Sequence, residues 1–375
     1  MHRSHTRIRP AGACLVALVA AATASRAAAP VAPPAAIPAD FTAFQTDVSP
    51  TILARRPVPA KHWRQIEPAV HQLALAHIAT LVALDDDARA ATLAALAGFI
   101  DTRRTAAATT PVLAPRRTVI GLLDPARGLD PQEITALAAA YDCDPVTVFK
   151  KDGADETLES VAGEFLAAVR AAAAAAPATV IVLGHGLPTE IQSYHIPFGR
   201  LADALLDGAA ARAGPGNAID LGGMVIVCDD CFSADFLVNL CTALEARCRD
   251  RGLPPGAPPT CIAGTGHGRV GHADVGAKFV PHFWRDVIEL YFIRRPRPTA
   301  VTLGNFLENV DAMMYGYGRA PVMNGGNLAG WRLVDPELVQ DPVVIVPLDA
   351  ADLAELRRIL GLPADALLPC WLEIG

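Results

Sequence analysis

Two short stretches of the chain gather the side chains best suited to covalent chemistry. The first is Gly184-His185-Gly186-Leu187-Pro188, directly after the apolar run Thr179–Leu183, and the second is Asp229-Asp230-Cys231-Phe232-Ser233, directly after Met224–Cys228. A histidine between two glycines sits on a bare backbone, so a substrate carbonyl can approach it closely, and imidazole exchanges protons near neutral pH. A thiol just ahead of a helix expected to start at Ser233 or Ala234 is favoured as thiolate by the helix dipole and by free N–H groups of the first turn. Together they make a nucleophile and a base: Cys231 to attack a carbonyl carbon and His185 to move the proton.

The elements expected to carry these loops alternate in type. Short apolar runs at Thr118–Leu123, Val146–Phe149, Thr179–Leu183, Met224–Cys228, Thr260–Ala263 and Val343–Val346 predict strands. Helical stretches at Pro131–Ala140, Thr157–Ala176, Pro197–Arg212, Ser233–Arg249, Phe279–Phe292 and Leu303–Tyr315 lie between or after them. Continuous apolar strands separated by helices predict an α/β fold, a mostly parallel, doubly wound sheet with helices on both faces. In such sheets reactive groups collect where strands end at their carboxyl edge, and neighbouring strands there would bring His185 and Cys231 together.

The two strand-plus-loop segments resemble a known group. VIVLGHG at Val180–Gly186 is similar to the histidine strand, and VIVCDDCFSADF at Val225–Phe236 to the cysteine strand, of the caspase, metacaspase and legumain superfamily of cysteine peptidases. The resemblance extends over roughly Thr118–Tyr291 by order of elements, with two departures: Ala234 stands where many members have glycine, and Cys228 is an additional cysteine. It implies peptide hydrolysis through a thioester on Cys231, with His185 assisting the leaving amine and the N–H groups of Gly186 and Cys231 binding the oxyanion.

Specificity follows from strand alternation. If the backbone stays extended through Asp229–Cys231, Asp229 shares the face of Cys231 and Asp230 points away. A partly buried carboxylate there favours Arg or Lys at P1. The resemblance implies the same role for the residue two before the cysteine, and it brings in Arg127, which lies roughly where caspases and legumains place a pocket arginine; Arg127 beside Asp229 would suit Asn instead. Asp274 is a further candidate for the pocket wall.

Other chemistries compete. Cys228 and Cys231 form a C-x-x-C spacing that could be a redox pair, although glycine and proline do not separate them. Gly-His-Gly also occurs as an oxyanion segment of α/β-hydrolases, but no G-x-S-x-G or G-x-C-x-G elbow is present. A catalytically inactive binding module is the third alternative. His267, His272 and Asp274 fall in a glycine-dense loop with no preformed ligand geometry, His71 and His77 are spaced six apart on an expected helix, and His195 precedes another, so no metal and no cofactor is expected.

Composition limits partners. A formal net charge of −7 and a pI near 5.8 give no basic footprint for nucleic acid, which leaves a peptide or protein substrate as the expected partner. Residues 1–29 read as an export signal: Arg3, Arg7 and Arg9, an apolar Cys14–Ala24, then small residues around Ala27. This predicts a secreted or periplasmic protein with no membrane span after cleavage, which also removes Cys14 and leaves an odd number of the eight cysteines. An Ala- and Pro-rich linker at 30–39, a helical unit at 40–104 and an α/β domain at 116–375 complete the expected organisation. The Pro- and Gly-rich loop Arg249–Pro259 is a candidate for proteolytic nicking.

Overall fold

The computed structural model describes residues 85–126, 130–254, 256–265, 299–304, 319–324, 327–333 and 343–374. The expected export signal, linker and first part of the helical unit lie outside these residues, as do Arg127, His267, His272, Asp274, Phe279–Phe292 and most of Leu303–Tyr315.

The elements begin with α1 (Asp86–Ala107), whose first turn is capped by the Asp85 carboxylate accepting from Ala88 N at 2.8 Å, and β1 (Pro111–Leu113). They continue with β2 (Thr118–Leu123), α2 (Pro131–Ala139), β3 (Val146–Phe149), α3 (Leu158–Ala175) and β4 (Ala178–Leu183). Next come two-residue strands β5 (Glu190–Ile191) and β6 (Ile196–Pro197), α4 (Phe198–Ala213), β7 (Met224–Asp229), α5 (Ser233–Asp250) and β8 (Thr260–Ala263). The remainder is β9 (Val301–Thr302), β10 (Arg319–Asn324), β11 (Asn327–Leu333), β12 (Val343–Pro347), α6 (Ala350–Leu360) and β13 (Trp371–Ile374).

A 7-stranded sheet in the order β13-β12-β8-β7-β4-β2-β3 organises the molecule. The strands from β3 to β8 are parallel, and β12 and β13 close one side antiparallel to β8 and to each other, respectively. The fold is therefore α/β with a mostly parallel central sheet. From β2 the chain steps outward to β3 and then returns past β2 to β4, β7 and β8. The order reverses between β2 and β4, and a crevice opens at such a switch point outside the carboxyl ends of the strands.

Side chains alternate between two cores. Ile120, Leu122, Val180, Val182, Ile226 and Cys228 pack with Phe165 and Val169 of α3, Leu205 of α4 and Leu237 and Leu240 of α5. Val119, Leu123, Ile181, Leu183, Val225 and Val227 pack on the opposite face with Leu96, Phe99 and Ile100 of α1, Leu137 of α2 and Leu356 and Leu360 of α6. Burial on both faces explains why these strands read as unbroken apolar runs. It also shows that α1 shares the α/β core, and that β1, pairing antiparallel with β9, lies between the expected helical unit and the expected α/β domain. Among the described residues no helix is long and apolar enough to cross a membrane.

One cation fastens the edge of the sheet opposite the crevice. Arg117 is buried; its Nε donates to Thr179 Oγ1 at 2.6 Å, and its Nη2 donates to the carbonyls of Ala178 and Gly223 at 2.8 and 2.9 Å. Burial lowers its pKa to about 10, so the charge is held at some cost and offset by these three bonds. Replacing Arg117 by Met should keep the volume but remove all three hydrogen bonds, leaving Gly223 O only the Ala178 N–H and lowering unfolding free energy by about 3 kcal/mol in urea titrations. An unchanged midpoint would mean that this clamp contributes nothing.

Candidate active site

The register of β4 and β7 sets the site. Leu183 pairs with Asp229 at their carboxyl ends, so His185 and Cys231 each follow two residues beyond the last paired position on adjacent strands. Gly184 N–H donates to Asp229 O at 3.4 Å just past that pair. The next residues touch: a Cβ placed on Gly186 would lie 2.5 Å from the Asp230 carboxylate and 2.6 Å from the Cys231 carbonyl oxygen. A Cβ on Gly184 would lie 2.8 Å from Cβ of Asp124 and 2.9 Å from Ser193 Oγ. Each glycine flanking His185 is thus needed for a different close approach, one toward β7 and one toward β2.

The histidine ring is half exposed, at 49%, with Nε2 3.9 Å from Oδ2 of the buried Asp124. Asp124 follows β2 directly and is held from two sides: Oδ1 accepts from Ala126 N at 2.7 Å and Oδ2 from Ser193 Oγ at 2.6 Å. Ser193 Oγ in turn accepts the N–H of His185 at 3.0 Å. Carboxylate, hydroxyl and histidine backbone thereby form one hydrogen-bonded unit across the switch point. Next to Ser193, Tyr194 is fully buried, donating to Leu123 O at 2.7 Å and accepting from Lys151 N at 3.0 Å, and burial pushes its phenol up to about 12. The turn carrying Ser193 is therefore tied to β2 itself. Asp124 and Ser193 escaped the sequence reading; the usable signal was that Asp124 ends the strand next to the histidine strand.

Cys231 is partly exposed at the mouth of the other loop. Phe232, which precedes α5, takes a left-handed conformation with φ of 59°, turning the chain sharply out of β7. The loop is tied to Thr265, two residues beyond β8. Ser233 N donates to Thr265 Oγ1 at 3.0 Å, Ala234 N donates to Thr265 O at 3.1 Å, Thr265 N donates to Ser233 Oγ at 2.9 Å, and Thr265 Oγ1 donates to Asp230 O at 2.9 Å. This corrects one expectation: the first N–H groups of α5 are not free for a thiolate, because Thr265 occupies them. Only the dipole of the helix remains available to Cys231 from that direction. Thr265, unlike Asp124, has no signature in the sequence.

The two acidic residues before Cys231 are buried and face opposite strands. A Cβ on Gly264 would lie 2.5 Å from Asp229 Oδ1, which sets Asp229 against the end of β8, whereas Asp230 abuts Gly186 at the end of β4. Burial, with Asp230 and Asp229 nearby, pushes the Cys228 thiol well up, so Cys228 is an inert core residue. His195 lies apart in a left-handed turn with φ of 51° and Nδ1 3.4 Å from Glu190 Oε1, a structural position. Arg127 and Asp274 lie outside the described residues. Among the described residues no group of three or more His, Cys, Asp or Glu side chains is placed to hold a metal ion.

Exposure separates the thiols. In the native protein, iodoacetamide should modify Cys231 at least about tenfold faster than Cys228, whose burial suppresses both access and ionisation. Peptide mapping that finds Cys228 labelled as fast as Cys231 would reject this description of the loop. No family model, curated protein or solved structure matches the chain, so what the site does is argued from its geometry.

Proposed function

We propose that the chain is a cysteine peptidase of the caspase, metacaspase and legumain type, acting through Cys231 and His185. The observation that carries the reading is the parallel register Leu183↔Asp229, which sets a part-exposed thiol and a half-exposed imidazole at the same height on adjacent strands of a switch-point crevice. In the proposed reaction, Sγ of Cys231 attacks the scissile carbonyl as His185 takes its proton. The backbone N–H groups of Gly186 and Cys231 hold the oxyanion, each donor worth about 3–4 kcal/mol. Collapse breaks the C–N bond, the amine leaves with the proton returned by His185, and water, deprotonated by the same ring, hydrolyses the thioester. Asp124 is a positioning residue, acting on the imidazole directly and on its backbone through Ser193.

The pocket reading follows from Asp229. Its carboxylate, buried beside the side-chain-free Gly264 and two residues before Cys231, would form the pocket and favour a cationic P1 residue, Arg or Lys, whose charge it would pair. Arg127 together with Asp229 would select Asn. The burial of Cys228 weighs against the C-x-x-C redox alternative. The export signal read at residues 1–29 would make the enzyme secreted or periplasmic, which amino-terminal sequencing of the mature chain tests.

Cys231→Ala and His185→Ala should each abolish cleavage of fluorogenic peptides while leaving the circular dichroism spectrum intact, and Cys228→Ala should retain turnover within a few-fold. Asp124→Asn should lower kcat by about a hundredfold with little change in KM, as expected for a misplaced base. Loss of activity in Cys228→Ala with retention in Cys231→Ala would overturn the assignment. In a P1-scanned library, Arg or Lys supports the Asp229 pocket, Asn supports the Arg127 and Asp229 pair, and Asp or a large apolar residue refutes both.

A further inference from the structure

Away from the crevice, two thiols meet across the interface between α5 and the sheet. Cys241 on α5 and Cys261 on β8 are both fully buried, with their sulfurs 4.0 Å apart. Their backbones are fixed by the same core: Cys241 lies among Leu237, Leu240 and Leu244, and Cys261 projects from β8 to that side of the sheet with Ala263. The contact with Cys261, together with burial, pushes the Cys241 thiol well up, so Cys241 is held as a neutral thiol. A third thiol lies close by. Cys370 is partly exposed, and its backbone N–H donates to Glu245, one turn beyond Cys241 on the same helix. Glu245 is mostly buried, and its own carboxyl is pushed up by that burial.

We propose that Cys241 and Cys261 form a structural disulfide when the protein folds under oxidising conditions, clamping α5 to β8. A bonded pair needs its sulfurs about 2 Å apart, so closure demands roughly 2 Å of approach, within reach of side-chain rotation where both backbones already face each other. The oxidant is a small disulfide such as glutathione disulfide. One cysteine thiolate attacks it, releasing one equivalent of small thiol and forming a mixed disulfide; the second cysteine attacks that sulfur and releases the other. Two protons and two electrons leave the protein, and one small disulfide becomes two thiols. Since neither sulfur is accessible in the folded chain, exchange takes place before α5 has docked.

The clamp has a consequence for the crevice. α5 starts just after Cys231, and β8 leads directly to Thr265, which holds Ser233, Ala234 and the Asp230 carbonyl. The disulfide joins the two elements whose relative position shapes the Cys231 loop. It also brackets the exposed turn Arg249–Gly252, so a chain cut there stays covalently joined. The pairing leaves Cys231 out, as a reactive thiol requires.

The full-length chain, refolded with glutathione disulfide, is denatured in iodoacetamide, reduced, and treated with N-ethylmaleimide. Chymotryptic cleavage after Phe236 separates Cys241 from Cys228 and Cys231. The expected result is N-ethylmaleimide on Cys241 and Cys261 alone, and a linked peptide pair in the unreduced digest. Protein refolded in dithiothreitol should have a Tm lower by roughly 5–10 °C than protein refolded with glutathione disulfide, a difference absent in Cys241→Ser and Cys261→Ser and retained in Cys370→Ser. Iodoacetamide on Cys241 and Cys261 in the wild-type protein, or a bond from either to Cys370 or Cys228, overturns the proposal whether or not the serine variants fold.

Discussion

The approach of two bare backbones at Gly186 governs the site. There the loop after β4 lies so close to Asp230 and the Cys231 carbonyl that no side chain fits, and this closeness is a direct product of the parallel register that ends at Leu183↔Asp229. Parallel pairing advances two strands at the same rate, so residues equally far beyond the last pair emerge level with one another. His185 and Cys231 satisfy that condition. Neither side chain then has to reach far: the sheet, packed on both faces, carries the cost of positioning them, and the loops only turn the chain outward.

The charge around that contact is one-sided. Asp124, Asp229 and Asp230 are all buried at the carboxyl ends of β2 and β7, and the helix amides that could oppose them near Cys231 are taken by Thr265. For Cys228, wholly inside, desolvation and then the Asp230 and Asp229 carboxylates push the thiol well up. In the proposed mechanism the proton leaves Cys231 as the substrate is attacked, through His185. In that mechanism Asp124 Oδ2, 3.9 Å from His185 Nε2, would steady the imidazolium, while Ser193 holds the backbone N–H of His185.

Much of the sheet was legible because its strands are apolar on both faces. Thr118–Leu123, Val146–Phe149 and Thr260–Ala263 run as the apolar stretches do, and helix starts follow their caps, Asp130 before Pro131 and Thr157 in a capping box with Ser160. The two-residue strands β5, β6 and β9 carry too little pattern for periodicity to register, and they exist only through their partners. α6 had its signals, a capping box at Asp349 and Asp352 and a left-handed Gly361, but it lies beyond the last strand the apolar pattern marked. At the site the division is the same. Cys231 and His185 announce themselves by residue type and by ending a strand, whereas Asp124, Ser193 and Thr265 matter only because tertiary packing brings distant loops to them.

Phe232 shows how the fold maintains an unfavourable local geometry directly beside Cys231. A left-handed conformation at a non-glycine residue costs about 1–2 kcal/mol, and this one is buried just before a helix with no side chain capping its first turn. The bonds that Thr265 makes to Ser233, Ala234 and Asp230 substitute for the missing cap and bracket the strained residue on both sides. Without the turn at Phe232, the chain would continue along β7 and carry Cys231 in line with the strand. With it, α5 folds back along the sheet and Cys231 stays partly exposed just beyond the carboxyl end of β7.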